Sequence, residues 1–67
     1  MYVVATNTYG GEYYLTNQPS QSRWSRKLTH AILYEYVAEI PPLESDFEYI
    51  IKVEYNEDGE LFKVHKN

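Results

Sequence analysis

The chain has 67 residues, ten of them acidic and six basic, for a net charge of −4, and it contains no cysteine. A chain this short forms at most one small domain with a thin core, so we treat residues 1–67 as a single domain. The absence of cysteine excludes a disulfide framework, a thiolate metal site and a thiol nucleophile. No apolar run reaches the roughly 18 residues that cross a bilayer, and the N-terminus lacks the pattern of a signal peptide. We therefore expect a soluble, cytoplasmic protein that does not associate with membranes.

The N-terminal residues predict a β-hairpin. Tyr2–Thr6 is rich in strand-forming residues, Gly10 and Gly11 interrupt the pattern, and residues 12–16 form a second strand-like run. Residues 1–11 carry no charged side chain, so a strand there would be poorly protected against pairing with another chain if it lay at a sheet edge. Self-association as a homodimer through a sheet edge is therefore one candidate function.

A basic stretch with the only tryptophan follows a polar loop at residues 17–22. It holds half of the six basic residues, and its candidate contact residues are Arg23, Trp24, Arg26 and Lys27. Cations on phosphates with an indole stacked on a base would make a nucleic-acid contact. Alternatively, Trp24 covers the core while the cations are solvated, and the net negative charge of the chain favours this second interpretation.

Residues 28–40 carry two competing patterns. Helical spacing places six apolar residues on one stripe, with Ser25 as a candidate cap and Pro41-Pro42 as a stop: Leu28, Ile32, Leu33, Tyr36, Val37 and Ile40. Alternation typical of a strand is also present, at Ile32, Tyr34, Tyr36, Ala38 and Ile40. The charges oppose a helix, since basic residues precede the segment and Glu35 and Glu39 lie near its end. Its length favours one, and we predict a helix.

The last third of the chain predicts a second hairpin. Five apolar residues alternate with mostly polar ones in the first strand: Phe47, Tyr49, Ile51, Val53 and Tyr55. A two-residue turn at Asp58-Gly59 would pair Tyr55 with Phe62, Val53 with Val64 and Glu54 with Lys63. A three-residue loop with Gly59 in a bulge would instead set Glu54 against Phe62, which breaks the face assignment, so we predict the first register.

Together these elements predict an α+β fold. The order is ββαββ, with an antiparallel sheet of about four strands and one helix packed on one face. An all-β fold of five strands is the alternative if residues 28–40 are extended.

The acidic residues are concentrated in one part of the chain. Nine of the ten lie between Glu35 and Glu60 against the single base Lys52, a formal charge of −8, whereas the first 34 residues are mildly positive. Such a field attracts basic protein surfaces and disfavours nucleic acid. The partner-binding candidates are Glu35, Glu39, Glu44 and Asp46. The alternative is that these charges only maintain solubility.

Catalytic and metal-binding patterns are weak. The only histidines, His30 and His65, are 35 residues apart and lack the spacing of a metal motif, and Gly10-Gly11 lacks the rest of a phosphate loop. Ser25 has only the unspecific His30 as a candidate base. We therefore predict no enzyme activity, no catalytic residues, no metal and no cofactor.

Several short motifs in order carry a family resemblance: the sequence YYLT at residues 13–16, Trp24, Lys27-Leu28, residues 31–34, and DFE at residues 46–48. Over residues 12–50 this order resembles small uncharacterised proteins encoded by phages and prophages of Gram-positive bacteria. The resemblance implies a β-hairpin followed by a helix, and it transfers no functional residue. Together with the concentrated acidic residues, it leads to the main hypothesis: a non-enzymatic phage-type protein that docks its acidic face on a basic surface of a host protein. The host protein, such as a nucleic-acid-handling or defence protein, is thereby inhibited.

Overall fold

A computed structural model describes residues 1–8, 10–17 and 23–64. Within them lie five strands, β1 (Tyr2–Thr6), β2 (Tyr13–Leu15), β3 (Trp24–Ser25), β4 (Glu48–Tyr55) and β5 (Leu61–Lys63), and two short 3₁₀ turns at Leu28–His30 and Val37–Glu39. The strands form one antiparallel sheet in the order β3-β2-β1-β4-β5. The sheet curls into a half-barrel.

Strand β1 is the centre of the sheet. It pairs with β4 along its whole length, from Tyr2 opposite Lys52 to Thr6 opposite Glu48, and with β2 at its end. Val3 and Ala5 are fully buried on the concave face, and Val4 is 2% exposed on the other face. This burial on both faces explains why the segment carries no charge. The structure therefore places β1 inside the sheet, whereas the hypothesis of edge pairing requires this strand at a sheet edge.

The main core lies on the concave face. Val3, Ala5, Tyr14 and Val53 form the buried cluster. Leu28 and Ala31, from the first 3₁₀ turn and the residue after it, pack against this cluster and close part of the half-barrel. On the opposite face, Val4 and Leu15 lie beside Pro41, Pro42 and Leu43 around a small pocket of about 50 Å³.

The predicted helix at residues 28–40 is wrong, and with it the α+β ββαββ fold. The segment forms only the two 3₁₀ turns, separated by extended backbone. The opposed charges at its ends disfavour a helix, and the sheet offers better partners. Ile32 N–H donates to the Leu15 carbonyl at 3.0 Å, and Tyr34 exchanges two backbone hydrogen bonds with Tyr2 at 2.7 and 2.8 Å. The all-β alternative is correct in its strand number, but the fifth strand is β3 rather than residues 32–40.

The predicted hairpins are both present, but the register of the second is off by one residue. Glu54 pairs with Phe62 and Tyr55 with Leu61. Gly59 N–H donates to the Asn56 carbonyl at 3.0 Å, and Gly59 adopts φ +79°, as in a three-residue loop that ends in a glycine bulge. The Asn56 side-chain oxygen also accepts hydrogen bonds from the N–H groups of Asp58 and Glu60, both at 2.9 Å. These bonds fix the bulged loop. His65 lies outside the described residues.

Candidate functional site

Residues 35–47, which we call the acidic segment, form the longest exposed stretch in the described part of the chain. Every residue in it is exposed except Ile40, which is half-buried. It contains all four predicted partner-binding acids, Glu35, Glu39, Glu44 and Asp46. The structure thus places these side chains at the surface of one continuous connection between the first half of the sheet and β4.

Large apolar side chains are exposed in the same segment. Four of the eight exposed large hydrophobic residues among those described lie here: Tyr36 at 62%, Val37 at 48%, Leu43 at 39% and Phe47 at 59%. Isolated exposed apolar residues are ordinary, but a run of them alternating with acids is typical of an interaction surface. The helical spacing in the sequence predicts Tyr36 and Val37 on a buried stripe, whereas the structure exposes both side chains.

Local hydrogen bonds shape the segment. The Glu39 carboxylate accepts a hydrogen bond from the Tyr36 N–H at 2.8 Å and thereby caps the second 3₁₀ turn. At the other end, Ser45 accepts from the Phe47 N–H through its side chain at 3.1 Å and from the Glu48 N–H through its carbonyl at 3.2 Å. The turn that leads into β4 is therefore held by Ser45, with Asp46 and Phe47 exposed at its tip.

The basic candidates are largely engaged within the chain. Arg23 forms an ion pair with Glu44 at 3.2 Å, which joins one predicted nucleic-acid residue to one predicted partner-binding acid. The Arg26 guanidinium lies 5.4 Å from the centre of the Tyr13 ring. Trp24 is half-buried in β3 opposite Leu15 and lines an open groove. Of the four, Lys27 is exposed, and its side chain forms no hydrogen bond or ion pair with another described residue.

The Arg23–Glu44 pair borders an open groove of about 520 Å³. Trp24, Glu48 and the hydroxyl residues Thr8 and Ser45 also line it. Both charged side chains of the pair are more than 60% exposed, at 62% and 67%, so water screens their attraction. The pair is therefore weakly held.

A second group of polar residues lies beside the concave face and was not predicted. Glu12 accepts three side-chain hydrogen bonds, each 2.7 Å long: from the Tyr14 hydroxyl and the Lys63 ammonium on Oε1, and from the Tyr49 hydroxyl on Oε2. We call these four residues the Glu12 cluster. They bring together β2, β4 and β5 with the turn before β2, so the cluster ties both hairpins to one carboxylate.

The hydrogen bonds shift the ionisation of the cluster. Partial burial raises the pKa of Glu12, but the hydrogen bonds from Lys63, Tyr49 and Tyr14 outweigh burial and lower that pKa to about 2. Burial and the hydrogen bond to Glu12 raise the pKa of Tyr49 to about 12, and the same causes raise the pKa of Tyr14. The hydrogen bond to Glu12 raises the pKa of Lys63. At neutral pH the cluster thus pairs the partly buried Glu12 carboxylate with the Lys63 ammonium.

Other arrangements in the described residues offer little chemistry. Ser25 Oγ lies 3.2 Å from His30 Nδ1, but the same oxygen accepts a hydrogen bond from the Lys27 N–H at 3.1 Å, and this exposed contact closes a local turn. No three His, Asp or Glu side chains within residues 1–8, 10–17 and 23–64 are grouped to hold a metal ion. No helix in those same ranges is long and apolar enough to cross a membrane.

Comparison with known proteins gives no relative from which a role could be transferred. No protein family profile matches the chain, and neither a curated protein nor a solved structure is similar to it.

Proposed function

We propose that this chain is a non-enzymatic binding protein that docks its acidic segment on a basic groove of a host protein and inhibits that protein. The observation that carries the proposal is the coincidence of four acids and four exposed large apolar side chains within residues 35–47. The resemblance to phage and prophage proteins makes a bacterial protein in the cytoplasm the expected partner.

The two kinds of side chain have different tasks in such an interface. Exposed aromatic and aliphatic groups such as Tyr36 and Phe47 supply the area that excludes water at the centre of a contact. The carboxylates of Glu35 and Asp46, which have no hydrogen bond or ion pair with a described residue, supply attraction to a basic surface and faster association. A groove that normally holds phosphates has the matching positive charge, so occupying it would exclude nucleic acid.

Nucleic-acid binding through Arg23, Trp24, Arg26 and Lys27 has less support. Arg23 is paired with Glu44, and Arg26 packs over Tyr13. The formal charge of the whole chain is −4, which repels a polyanion at low salt. Binding that disappears with nuclease would support this alternative.

The experiment is capture of proteins from a Gram-positive bacterial lysate on the tagged chain, with and without nuclease. Three forms are compared: the native chain, the neutralised triple variant E35Q/E39Q/D46N, and the control triple variant E57Q/D58N/E60Q. The two variants remove the same residue types and the same charge, but the control changes the β4–β5 loop. The substitution E39Q keeps a side-chain oxygen that can accept the hydrogen bond from the Tyr36 N–H, so the second 3₁₀ turn is preserved.

We expect a protein that binds the native and control chains, survives nuclease, is displaced by added DNA and binds E35Q/E39Q/D46N at least about tenfold more weakly. Equal binding of both triple variants would contradict docking through the acidic segment. Binding that disappears with nuclease and falls in Trp24→Ala would replace the proposal by the nucleic-acid alternative.

A further inference from the structure

The convex face of the β4–β5 hairpin carries an apolar and charged surface that the acidic segment does not include. Its six residues, which we call the outer patch, are Tyr2, Ile50, Lys52, Glu54, Phe62 and Val64. Ile50 and Phe62 are 38% and 41% exposed, and Lys52 and Glu54 are exposed as well. A groove of about 420 Å³ runs between Tyr2, Ile50, Lys52 and Val64.

The observed register arranges this patch in two rows across the strands. In the first row Lys52 lies between Tyr2, its partner on β1, and Val64, whose N–H donates to the Lys52 carbonyl at 2.9 Å. In the second row Glu54 lies beside Phe62. Each row therefore combines one charged side chain on β4 with one apolar side chain from β5 or the residue after it, and the two charges have opposite signs.

We propose that a second copy of this chain packs face to face on the outer patch. The twofold axis lies between the two sheets, perpendicular to the strands and level with Val53. Rotation about this axis reverses the strand direction in the second copy and exchanges its two rows. Lys52 then faces Glu54 of the second copy, and Phe62 faces Val64 of the second copy, with both contacts repeated by symmetry. Sheets stack about 10 Å apart, a gap that extended Lys and Glu side chains can bridge from opposite sides.

The charges select a second copy over another occupant. A uniformly basic partner would meet Lys52, and a uniformly acidic one would meet Glu54, whereas a copy of the same patch satisfies both. The monomer also has a thin core, since its buried apolar residues in the described ranges are only Val3, Val4, Ala5, Tyr14 and Val53. Removing Ile50 and Phe62 from water in a dimer would add apolar burial that the monomer lacks.

The outer patch shares no residue with the acidic segment, so the dimer does not depend on the proposed function. Its test is a reciprocal charge exchange, followed by sedimentation equilibrium from about 10 μM to about 1 mM. The variants are Lys52→Glu, Glu54→Lys and the double variant K52E/E54K. Lys27→Glu and Glu57→Lys are controls that change the net charge equally at other exposed sites, and circular dichroism verifies folding.

We expect the native chain to dimerise reversibly and each single exchange to weaken the dimer at least about tenfold relative to its charge-matched control, because like charges then meet twice. The double variant restores opposite charges and should return to within about threefold of the native dissociation constant. Phe62→Thr, which keeps a strand-forming residue, should also weaken the dimer. A monomeric mass at all concentrations overturns the proposal, and so does a dimer on which the single exchanges act no differently from their controls.

Discussion

Glu12 and the acidic segment use the same chemical group in opposite ways. The Glu12 carboxylate accepts hydrogen bonds from Tyr14, Tyr49 and Lys63, and its charge is balanced within the chain. In the acidic segment, Glu39 accepts one backbone hydrogen bond and Glu44 meets one exposed arginine, while Glu35 and Asp46 have no such partner among the described residues. The comparison separates a carboxylate that stabilises the fold from carboxylates whose field is directed at solvent.

This difference follows from where each residue lies. Glu12 precedes a strand whose neighbours curl around it, so three donors reach it from three strands. The acidic segment crosses outside the sheet, where water screens each charge and local pairing gains little. A thin core makes the internal network more important for stability, whereas water screens the exposed charges so that they contribute little to it.

The largest expected effect on stability is that of removing the Glu12 carboxylate. Glu12→Ala leaves the hydroxyls of Tyr14 and Tyr49 and the ammonium of Lys63 without their shared acceptor, which should lower the free energy of unfolding by about 2 kcal/mol. Urea denaturation measures this change. A double-mutant cycle with Lys63→Met should give a clear coupling energy, and independent effects of the two substitutions would contradict a shared network.

The low pKa of Glu12 predicts that the stability of the fold depends on pH. The pKa of Glu12 is about 2 in the folded chain against an ordinary value of 4.5, so the stability it contributes is present above pH 4.5 and is lost as the pH falls from 4.5 towards 2. Stability curves of Glu12→Gln should be flatter across that window. If the stability of the variant changes with pH in parallel with that of the native chain, groups other than Glu12 determine the loss of stability at low pH.

The stability of the fold should also decrease at high pH. The pKa of Tyr49 is raised from 10 to about 12, so its neutral, hydrogen-bonding form stabilises the fold below pH 10, and this contribution is lost as the pH rises from 10 to 12. The raised pKa of Lys63 acts in the same direction. Tyr49→Phe should reduce the dependence on pH above 10, measured by thermal melting against Tyr36→Phe as an exposed control.

The smallest expected effect is that of the exposed ion pair. Glu44→Gln should change the free energy of unfolding by less than about 0.5 kcal/mol, because Arg23 and Glu44 are both mostly exposed. The substitution should leave the melting temperature nearly unchanged at high salt. A loss comparable to that of Glu12→Ala would remove the distinction between the two regions.

The sequence predicts the parts of the fold that depend on local patterns. The hairpin at the N-terminus and the alternation in the middle of β4 follow from a period of two, with Val53 buried and Lys52 and Glu54 exposed. The predicted apolar face does not extend to its ends, since Phe47 and Tyr55 are 59% and 54% exposed. The helix at residues 28–40 was predicted from a stripe of apolar residues. Tertiary hydrogen bonds from Ile32 and Tyr34 to the sheet decided against it, and a local pattern does not contain them.

The error in the predicted register also explains why the sequence does not predict the Glu12 cluster. In the predicted register Lys63 lies on the solvent face opposite Glu54, whereas the bulged loop turns it towards the concave face and Glu12. The signal that could have corrected this is Asn56 followed three residues later by Gly59, which suits a turn with a glycine bulge. The contacts themselves span 37 and 51 residues of sequence, beyond the reach of local reasoning. The exposure of the four acids of the acidic segment could be predicted because charge density is visible in the sequence.

We propose that the chain divides its carboxylates between folding and binding. The most direct measurement determines the free energy of unfolding and the capture of the lysate partner for two variants, Glu12→Gln and E35Q/E39Q/D46N. We predict that the first loses about 1 to 2 kcal/mol of stability and still binds its partner under conditions where it is folded, whereas the second keeps its stability and loses the partner. Loss of stability in the triple variant, or loss of the partner by folded Glu12→Gln, would contradict the division.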